Sequence, residues 1–338
     1  MSGSIILGIE SSCDDTSAAI ISGNKILSNV AANQEIHNEY GGVVPELASR
    51  AHQQNIIPVV EKAFSKANIQ QNDICAIGFT RGPGLLGSLL VGTSFAKSLA
   101  MSLGVPLIEV NHLQAHILAH FIDDANPNSP TFPFLCLTVS GGHTMIVLVK
   151  DYFEMEIIGK TIDDAAGEAF DKIGKIFDLD YPAGPIIDKL AKEGNPDAFQ
   201  FNKPRMENYD YSFSGIKTSV LYFIQKEVRK NPDFIKENLN DLCASVQKSI
   251  IEILMNKLEK ASVDLNIKDV AIAGGVSANS ALRKAMEHNQ EKLGWNIFIP
   301  KFEYTTDNAA MIAMVAKLKY ERGEFTDIRT TATAKYDL

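Results

Sequence analysis

The sequence predicts an α/β protein built from two similar lobes, each a mixed sheet with flanking helices, with the active site in the cleft between them. Three observations carry that expectation. A chain of 338 residues with 45% hydrophobic and 22% charged content can bury a large core, and its length exceeds what one ordinary domain needs. The chain opens with β-branched runs broken by turn residues, which read as three short strands. The same meander restarts near residue 131, the mark of a duplicated architecture.

Taken in order, "IILGIE", "SAAII" and "ILSNVAA" are the first three strands, separated by "SSCDDT" and "SGNK". "PELASRAHQQNIIPVVEKAF" follows as an amphipathic helix with Pro45 in its first turn and Leu47, Ala51, Ile57, Val60 and Phe64 as its apolar positions. "ICAIGFT" is a buried strand, and "GSLLVGTSFAKSLAMSL" is a helix after the tight loop "RGPGLLG". The second meander is "FPFLCLTV", "MIVLV" and "MEIIGK", followed by the helical "DDAAGEAFDKIGKIF". "EGNPDAFQFNKPRMENYDYSFSGIKT" lacks regular periodicity and reads as an ordered excursion. Long helices then cover roughly 219–230 and 239–262, "DVAIAGG" is a strand, "SANSALRKAMEHNQEKL" a helix, "NIFIP" a strand, and "MIAMVAKLKYERG" the last helix. The first lobe is expected to comprise 1–130 plus about 305–338, and the second 131–304.

Composition excludes several classes. The opening "MSGSIILGIESSCDDTS" has no basic leading region, and Glu10 and Asp14 interrupt its apolar run, so neither a signal peptide nor a membrane span is expected there. A cytoplasmic chain with no membrane partner is the expectation. Cys13, Cys75, Cys136 and Cys243 are far apart with no C-x-x-C pair, which argues against a disulfide framework and against thiolate zinc ligation. A net charge of −9 argues against strong nucleic-acid binding by overall electrostatics and leaves only a local basic face for it.

Three constellations could carry chemistry. In "NHLQAHILAH", His112 and His116 stand four residues apart on one helical face, able to present both rings to one ion, and His120 continues the row. With seven histidines in the chain such a pair also arises by chance. Leu113 occupies the position of the glutamate base of a zinc protease, which weakens that reading. Two imidazoles need a further ligand, for which Asp307 in "TTDNAAM" is the candidate; its competing role is to cap the last helix. Second, "TVSGGHT" and "AIAGGVSANSAL" place glycines after strands, where main-chain amides can approach a phosphate or nucleotide, and "ESSCDDTS" takes the equivalent place in the first half. No P-loop or dinucleotide glycine spacing is present. Third, Asp164, Glu168 and Asp171 in "DDAAGEAFDKIG" lie on neighbouring helical faces, available for ribose hydroxyls, lysine partners or a metal; acids at a helix start favour its dipole, which accounts for Asp163 and Asp164 better than for Asp171.

Together "GIESSCDDTS", "YGGVVPELASRAH", "TRGPGLLGSLLVG", "NHLQAH", "VSGGHT", "DDAAGEAFDK", "YSFSGIKTS", "GGVSANSALR" and "TDNAAMIA", in this order, resemble the tRNA N6-adenosine threonylcarbamoyltransferases of bacterial type, formerly described as glycoproteases, over essentially the whole chain. The resemblance implies the fold of actin, Hsp70 and the sugar kinases. It implies transfer of an L-threonylcarbamoyl group from threonylcarbamoyl-AMP to N6 of the adenosine 3′ of the anticodon in tRNAs reading codons that begin with A. It implies one divalent metal per chain, iron(II) first and zinc second, on His112, His116 and Asp307. Donor contacts would fall to Thr138, Val139, Ser140, Gly141, Gly142, Asp171, Gly184, Asp188 and Asn279. One departure is "YPAGP" for the family's "YPGGP", where Ala183 puts a left-handed backbone conformation in doubt. No side chain identifies itself as the base for the N6 proton. Expected partners are tRNA, a smaller paralogous subunit of TsaB type through the first lobe, and a P-loop ATPase subunit of TsaE type. Lys203, Arg205, Lys217, Lys226, Arg229 and Lys230 are the candidate basic face for RNA. An ATP-hydrolysing member of the same fold and a metal-dependent protease are the competing readings.

Overall fold

The computed structural model describes residues 3–32, 34, 40, 42–126, 128–204 and 206–338. They form two compact units, Met1–Ser129 with Pro300–Leu338, and Pro130–Ile299.

In the first unit β1 (Ile5–Glu10), β2 (Thr16–Ser22) and β3 (Lys25–Ala32) form an antiparallel meander. β4 (Ala76–Gly82) and β5 (Leu107–Asn111) extend it in parallel, in the order β3-β2-β1-β4-β5. β1 and β2 are buried on both faces, which is why they read as unbroken apolar runs. Leu7 and Ile9 pack with α1 (Pro45–Ala67), while Gly8 faces α9 (Ala309–Glu321). A Cβ at Gly8 would lie 2.6 Å from the Ala309 carbonyl, so glycine there lets α9 lie directly on the sheet.

The buried stripe of α1 is Ala48, His52, Ile56, Val59, Val60, Ala63 and Phe64, and Ile57 is 55% exposed. Steps of four and three keep those residues in phase, whereas Ala51 and Ile57, six residues apart, fall on different faces. The expected face is therefore right at Val60 and Phe64 and displaced elsewhere. Among the described residues α2 (Leu86–Leu103) is the one helix long and apolar enough to cross a membrane by length and composition; here it packs on β4 and α1, with Leu89, Ala96 and Ala100 buried and Gly92 against Ser11 and Ile9. The short α3 (His112–Leu118) leaves β5 without a loop.

The second unit repeats the topology. β6 (Phe134–Val139), β7 (Thr144–Asp151) and β8 (Glu154–Lys160) are antiparallel, and β9 (Asp269–Ala273) and β10 (Asn296–Phe298) continue in parallel, in the order β10-β9-β6-β7-β8. The duplicated scheme expected from the sequence is thus realised strand for strand. Its helices are α4 (Ala166–Ile176), α5 (Ala183–Ala191), α6 (Ser214–Val228), α7 (Phe234–Leu265) and α8 (Ser280–Leu293). α7 has non-helical dihedrals at Asn238, next to the expected start at 239. The excursion before α6 is anchored by buried Phe201, Tyr211 and Phe213. Four expected helical starts in this unit prove different: α4 begins after both aspartates of "DDAAGEAF", α6 and α7 begin earlier, at Ser214 and Phe234, and a 3-10 turn, Gly275–Ala278, precedes α8.

Candidate metal centre

Asn111, the last residue of β5, caps α3: its Oδ1 accepts from the amides of Leu113 (2.9 Å) and Gln114 (3.2 Å). This puts His112 at the first helical position and His116 one turn on, with ring centroids 4.7 Å apart and nearly perpendicular planes. Asp307 stands before α9, but Asn308 caps that helix, accepting from the Met311 amide at 3.2 Å. The capping role weighed for Asp307 therefore belongs to its neighbour, and the Asp307 carboxylate is left for the histidines. Its Oδ1 lies 3.1 Å from His116 Nε2 and 3.3 Å from His112 Nε2, and the three potential ligand atoms fall within 4.8 Å of one another.

Behind His112 stands a residue the sequence reading missed. Glu10, at the end of β1, is fully buried, with Oε2 3.0 Å from His112 Nδ1 and accepting from the Thr80 hydroxyl at 2.7 Å; its Oε1 accepts from the Ser12 amide. Ser12 Oγ lies 3.2 Å from the same imidazole nitrogen. Burial raises the Glu10 pKa, but the adjacent His112 outweighs it and holds the carboxyl below its usual range. An ionised carboxylate can only accept, so the proton on His112 sits on Nδ1. Nε2 then offers a lone pair toward the carboxylate oxygen of Asp307, a contact that is favourable only with a cation present. Without metal that cation is a proton: burial opposes it, yet Asp307 and Glu10 raise the His112 pKa well above the ordinary value. With metal, the same donor set is two imidazoles and a carboxylate with a carboxylate behind one histidine, a combination that suits a divalent transition ion.

The surroundings add negative charge. Asp15 is pushed up to about 7 by burial, with Asp14, Asp307 and Glu10 contributing, and burial likewise drives the Cys13 thiol up. The acidic turn "SSCDD" therefore favours a cation at the centre and makes Cys13 a poor thiolate. Among the described residues His116 Nδ1 is buried without a hydrogen-bond partner, and the ring is held by Asp307 at Nε2 and by packing against the His112 ring. His120, which the histidine row suggested as a third member, is buried on a 3-10 turn with its Nδ1 2.9 Å from Asn126 Nδ2. It belongs to the core.

The other predicted site residues lie in the second unit, around the end of β6. Thr138 and Val139 are buried, whereas Gly141 and Gly142 are exposed with open space where a Cβ would stand. The Ser140 carbonyl accepts from the Gly167 amide at 3.2 Å, bringing the start of α4 against the hairpin. Gly274, at φ +82°, meets the same strand end, since a Cβ there would fall 2.5 Å from the Val139 carbonyl. The turn of β6 and the Gly-Gly loop after β9 are therefore adjacent. Asp171 Oδ1 accepts from the Ala183 amide at 2.8 Å, and burial raises its pKa although the amides of Ala183 and Gly184 counter that. Asp188 accepts from the amide (3.1 Å) and hydroxyl (2.7 Å) of Ser280, and Asn279 caps α8 while donating to Gln247 at 2.7 Å. Ala183 is helical, so the departure from glycine is harmless; its methyl fits against Gly174, which has none.

The acidic helix takes lysine partners at Asp164 and Glu168, while Asp163 reaches another helix. Asp163 serves α6: its carboxylate accepts from Phe213 N (2.8 Å), Ser212 Oγ (2.6 Å) and Ser214 Oγ (2.7 Å). Asp164 pairs with Lys172 (2.7 Å) and Lys217 (3.1 Å). Of the basic residues considered for RNA, Lys203 is paired with Glu252, Lys217 with Asp164 and Lys230 with Glu227, and Arg205 lies outside the described residues.

Two sheets of this shared order with flanking helices define a protein of the actin, Hsp70 and sugar-kinase type, here carrying a His, His, Asp cluster suited to a metal. Solved structures agree on the fold alone. Component A of the (R)-2-hydroxyglutaryl-CoA dehydratase of Acidaminococcus fermentans matches with a TM-score of 0.53 at 16% identity, covering 94% of this chain and all of that one. A ROK hexokinase from Thermus thermophilus matches with 0.53 at 14%, over the same shares. The family model for TsaD, tRNA N6-adenosine threonylcarbamoyltransferase, matches residues 25–314. A protein of that name from Riemerella anatipestifer is 84% identical over 338 residues, covering 100% of this chain and 99% of its own length. The chain belongs to the tRNA N6-adenosine threonylcarbamoyltransferases, acyltransferases that modify tRNA.

Proposed function

We propose that the chain transfers the L-threonylcarbamoyl group from threonylcarbamoyl-AMP to N6 of the adenosine 3′ of the anticodon in tRNAs that read codons beginning with A, releasing AMP. The observation that carries the role of the first unit is the convergence of His112 Nε2, His116 Nε2 and Asp307 Oδ1, with Glu10 fixing the His112 tautomer. These three residues hold one divalent ion, iron(II) first and zinc second. Bound there, the ion supplies a Lewis acid for the donor carbonyl.

The chain's own groups do the rest. Glu10 keeps the proton on His112 Nδ1 so that Nε2 stays a ligand. Gly141 and Gly142, with the adjacent Gly-Gly loop, hold the adenylate end by main-chain amides, while Ser140 sets their turn through its bonds with His143 and Asn279 caps α8 beside them. Thr138 and Val139 set the end of β6 that carries this turn, and Asp171, Gly184 and Asp188 fix the starts of α5 and α8 around it. Because the donor is already an activated mixed anhydride, orientation and charge stabilisation are the main demands on the protein. A smaller paralogue binding through the first unit, a P-loop ATPase and a cytoplasmic setting complete the reading.

The test is mass spectrometry of nucleosides from tRNA incubated with the purified chain and threonylcarbamoyl-AMP, with and without those two partners. Threonylcarbamoyladenosine that disappears with His116→Ala is the expected outcome. Unmodified adenosine in every combination, or turnover of ATP by the chain alone with the cluster removed, would sink it.

A further inference from the structure

Residues 325–338 run over the first unit without helix or strand, yet they are tied down along their length. The Thr326 amide donates to the Leu107 carbonyl (2.8 Å), and its hydroxyl accepts from the Glu109 amide (2.7 Å). The Thr333 amide donates to the Arg81 carbonyl (2.9 Å), and the Ala334 carbonyl accepts from the Gly84 amide (3.3 Å). Arg81 makes a two-pronged pair with Glu109 at 3.0 Å and lies 4.8 Å over the Tyr336 ring, whose hydroxyl donates to Glu109 at 2.9 Å. The segment thus straps the ends of β4 and β5, the strands that lead to Thr80 and to His112. Its final contacts are on Asn111: Nδ2 donates to the main-chain carbonyls of Tyr336 (3.3 Å) and Asp337 (2.8 Å).

We infer that the strap is a positioning element for the metal centre, acting through Asn111. An asparagine side chain is nearly symmetric in shape, so its second partner decides which end meets the helix. Two carbonyls can only accept, and they therefore hold Nδ2 outward and Oδ1 against the amides of Leu113 and Gln114. That keeps the first turn of α3 closed, and the first turn contains His112. If the amide turned, the cap would be lost, the turn would fray, and the two Nε2 atoms would no longer converge on Asp307. The inference rests on the metal reading of His112, His116 and Asp307, and it adds residues 111 and 336–337 to that site as its support.

Cobalt(II) binding, followed by calorimetry and by its visible absorption, reads this directly. Ending the chain after Ala334 removes Lys335, Tyr336, Asp337 and Leu338, which leaves net side-chain charge unchanged. This variant should bind cobalt(II) about tenfold more weakly, the low end for loss of a support behind a ligand. Asn111→Ser keeps a capping oxygen but removes Nδ2, and a loss of similar size is expected. Because both changes cut one link, the combined variant should be no weaker than either alone. Wild-type affinity in both single variants, with binding abolished by His116→Ala, overturns the positioning role and leaves the metal site standing, as do strictly additive losses. Equal binding by wild type and His116→Ala overturns the metal reading itself.

Discussion

Glu10 is a fully buried carboxylate that stays ionised because a histidine, an amide and a hydroxyl all donate to it. Glu10→Gln keeps its volume but removes the charge that pins the His112 proton. Metal affinity should fall about tenfold to a hundredfold, measured by cobalt(II) titration, while the fold is retained. His112, His116 and Asp307 were legible in the sequence, the first two from helical spacing and the third from its polar flanks. Glu10 was not. It is 102 residues from His112 and ends the strand β1, where the sequence shows only a charge interrupting an apolar run. Only the parallel pairing of β1 with β4, and of β4 with β5, brings the ends of those strands together.

Three helices of the second unit receive a carboxylate from elsewhere in the chain at their starts. Asp171 on α4 serves α5, Asp188 on α5 serves α8, and Asp163 before α4 serves α6. Of the two aspartates that the helix dipole accounts for, Asp163 thus holds a neighbouring helix, while Asp164 pairs with Lys172 on its own. Burial raises the Asp163 pKa, but hydrogen bonds from Ser212, Phe213 and Ser214 outweigh it and hold the carboxyl below its usual 3.8. A folded-state pKa below the unfolded one adds stability that is present above the unfolded value and lost as pH falls through the folded one. Asp163→Ala should therefore cost about 1 kcal/mol near pH 6, in the range of a lost helix cap, and the gap to wild type should shrink below about pH 4. Urea midpoints of both proteins across that window check it. The same carboxylate also fixes the end of the aromatic excursion, where it runs into α6.

Across the whole molecule, one five-stranded scheme is used twice and specialised differently. The first copy places ionisable groups at its strand ends, and the second places glycines there. If the first copy holds metal, cobalt(II) at about a hundredfold over its Kd should stabilise the chain by about 2.7 kcal/mol, because only the folded state assembles the three ligands. Calorimetric melting should show that gain in wild type and none in His116→Ala. A gain of equal size in both would place the ion elsewhere.

The sequence by itself determined the α/β class, the duplicated meander, the positions of most helices, and the histidine spacing, because each is set by local periodicity and turn chemistry. It left open whether Asp307 capped α9, and it misjudged the buried stripe of α1. Tertiary structure decided those points. Asn308 takes the cap, β1 delivers Glu10 behind His112, and the strap at 336–337 fixes Asn111. The cap is local, but the other two contacts join residues 102 and 226 positions apart, and which partner a polar side chain finds at that range depends on how strands pair and helices pack. No local pattern carries that information.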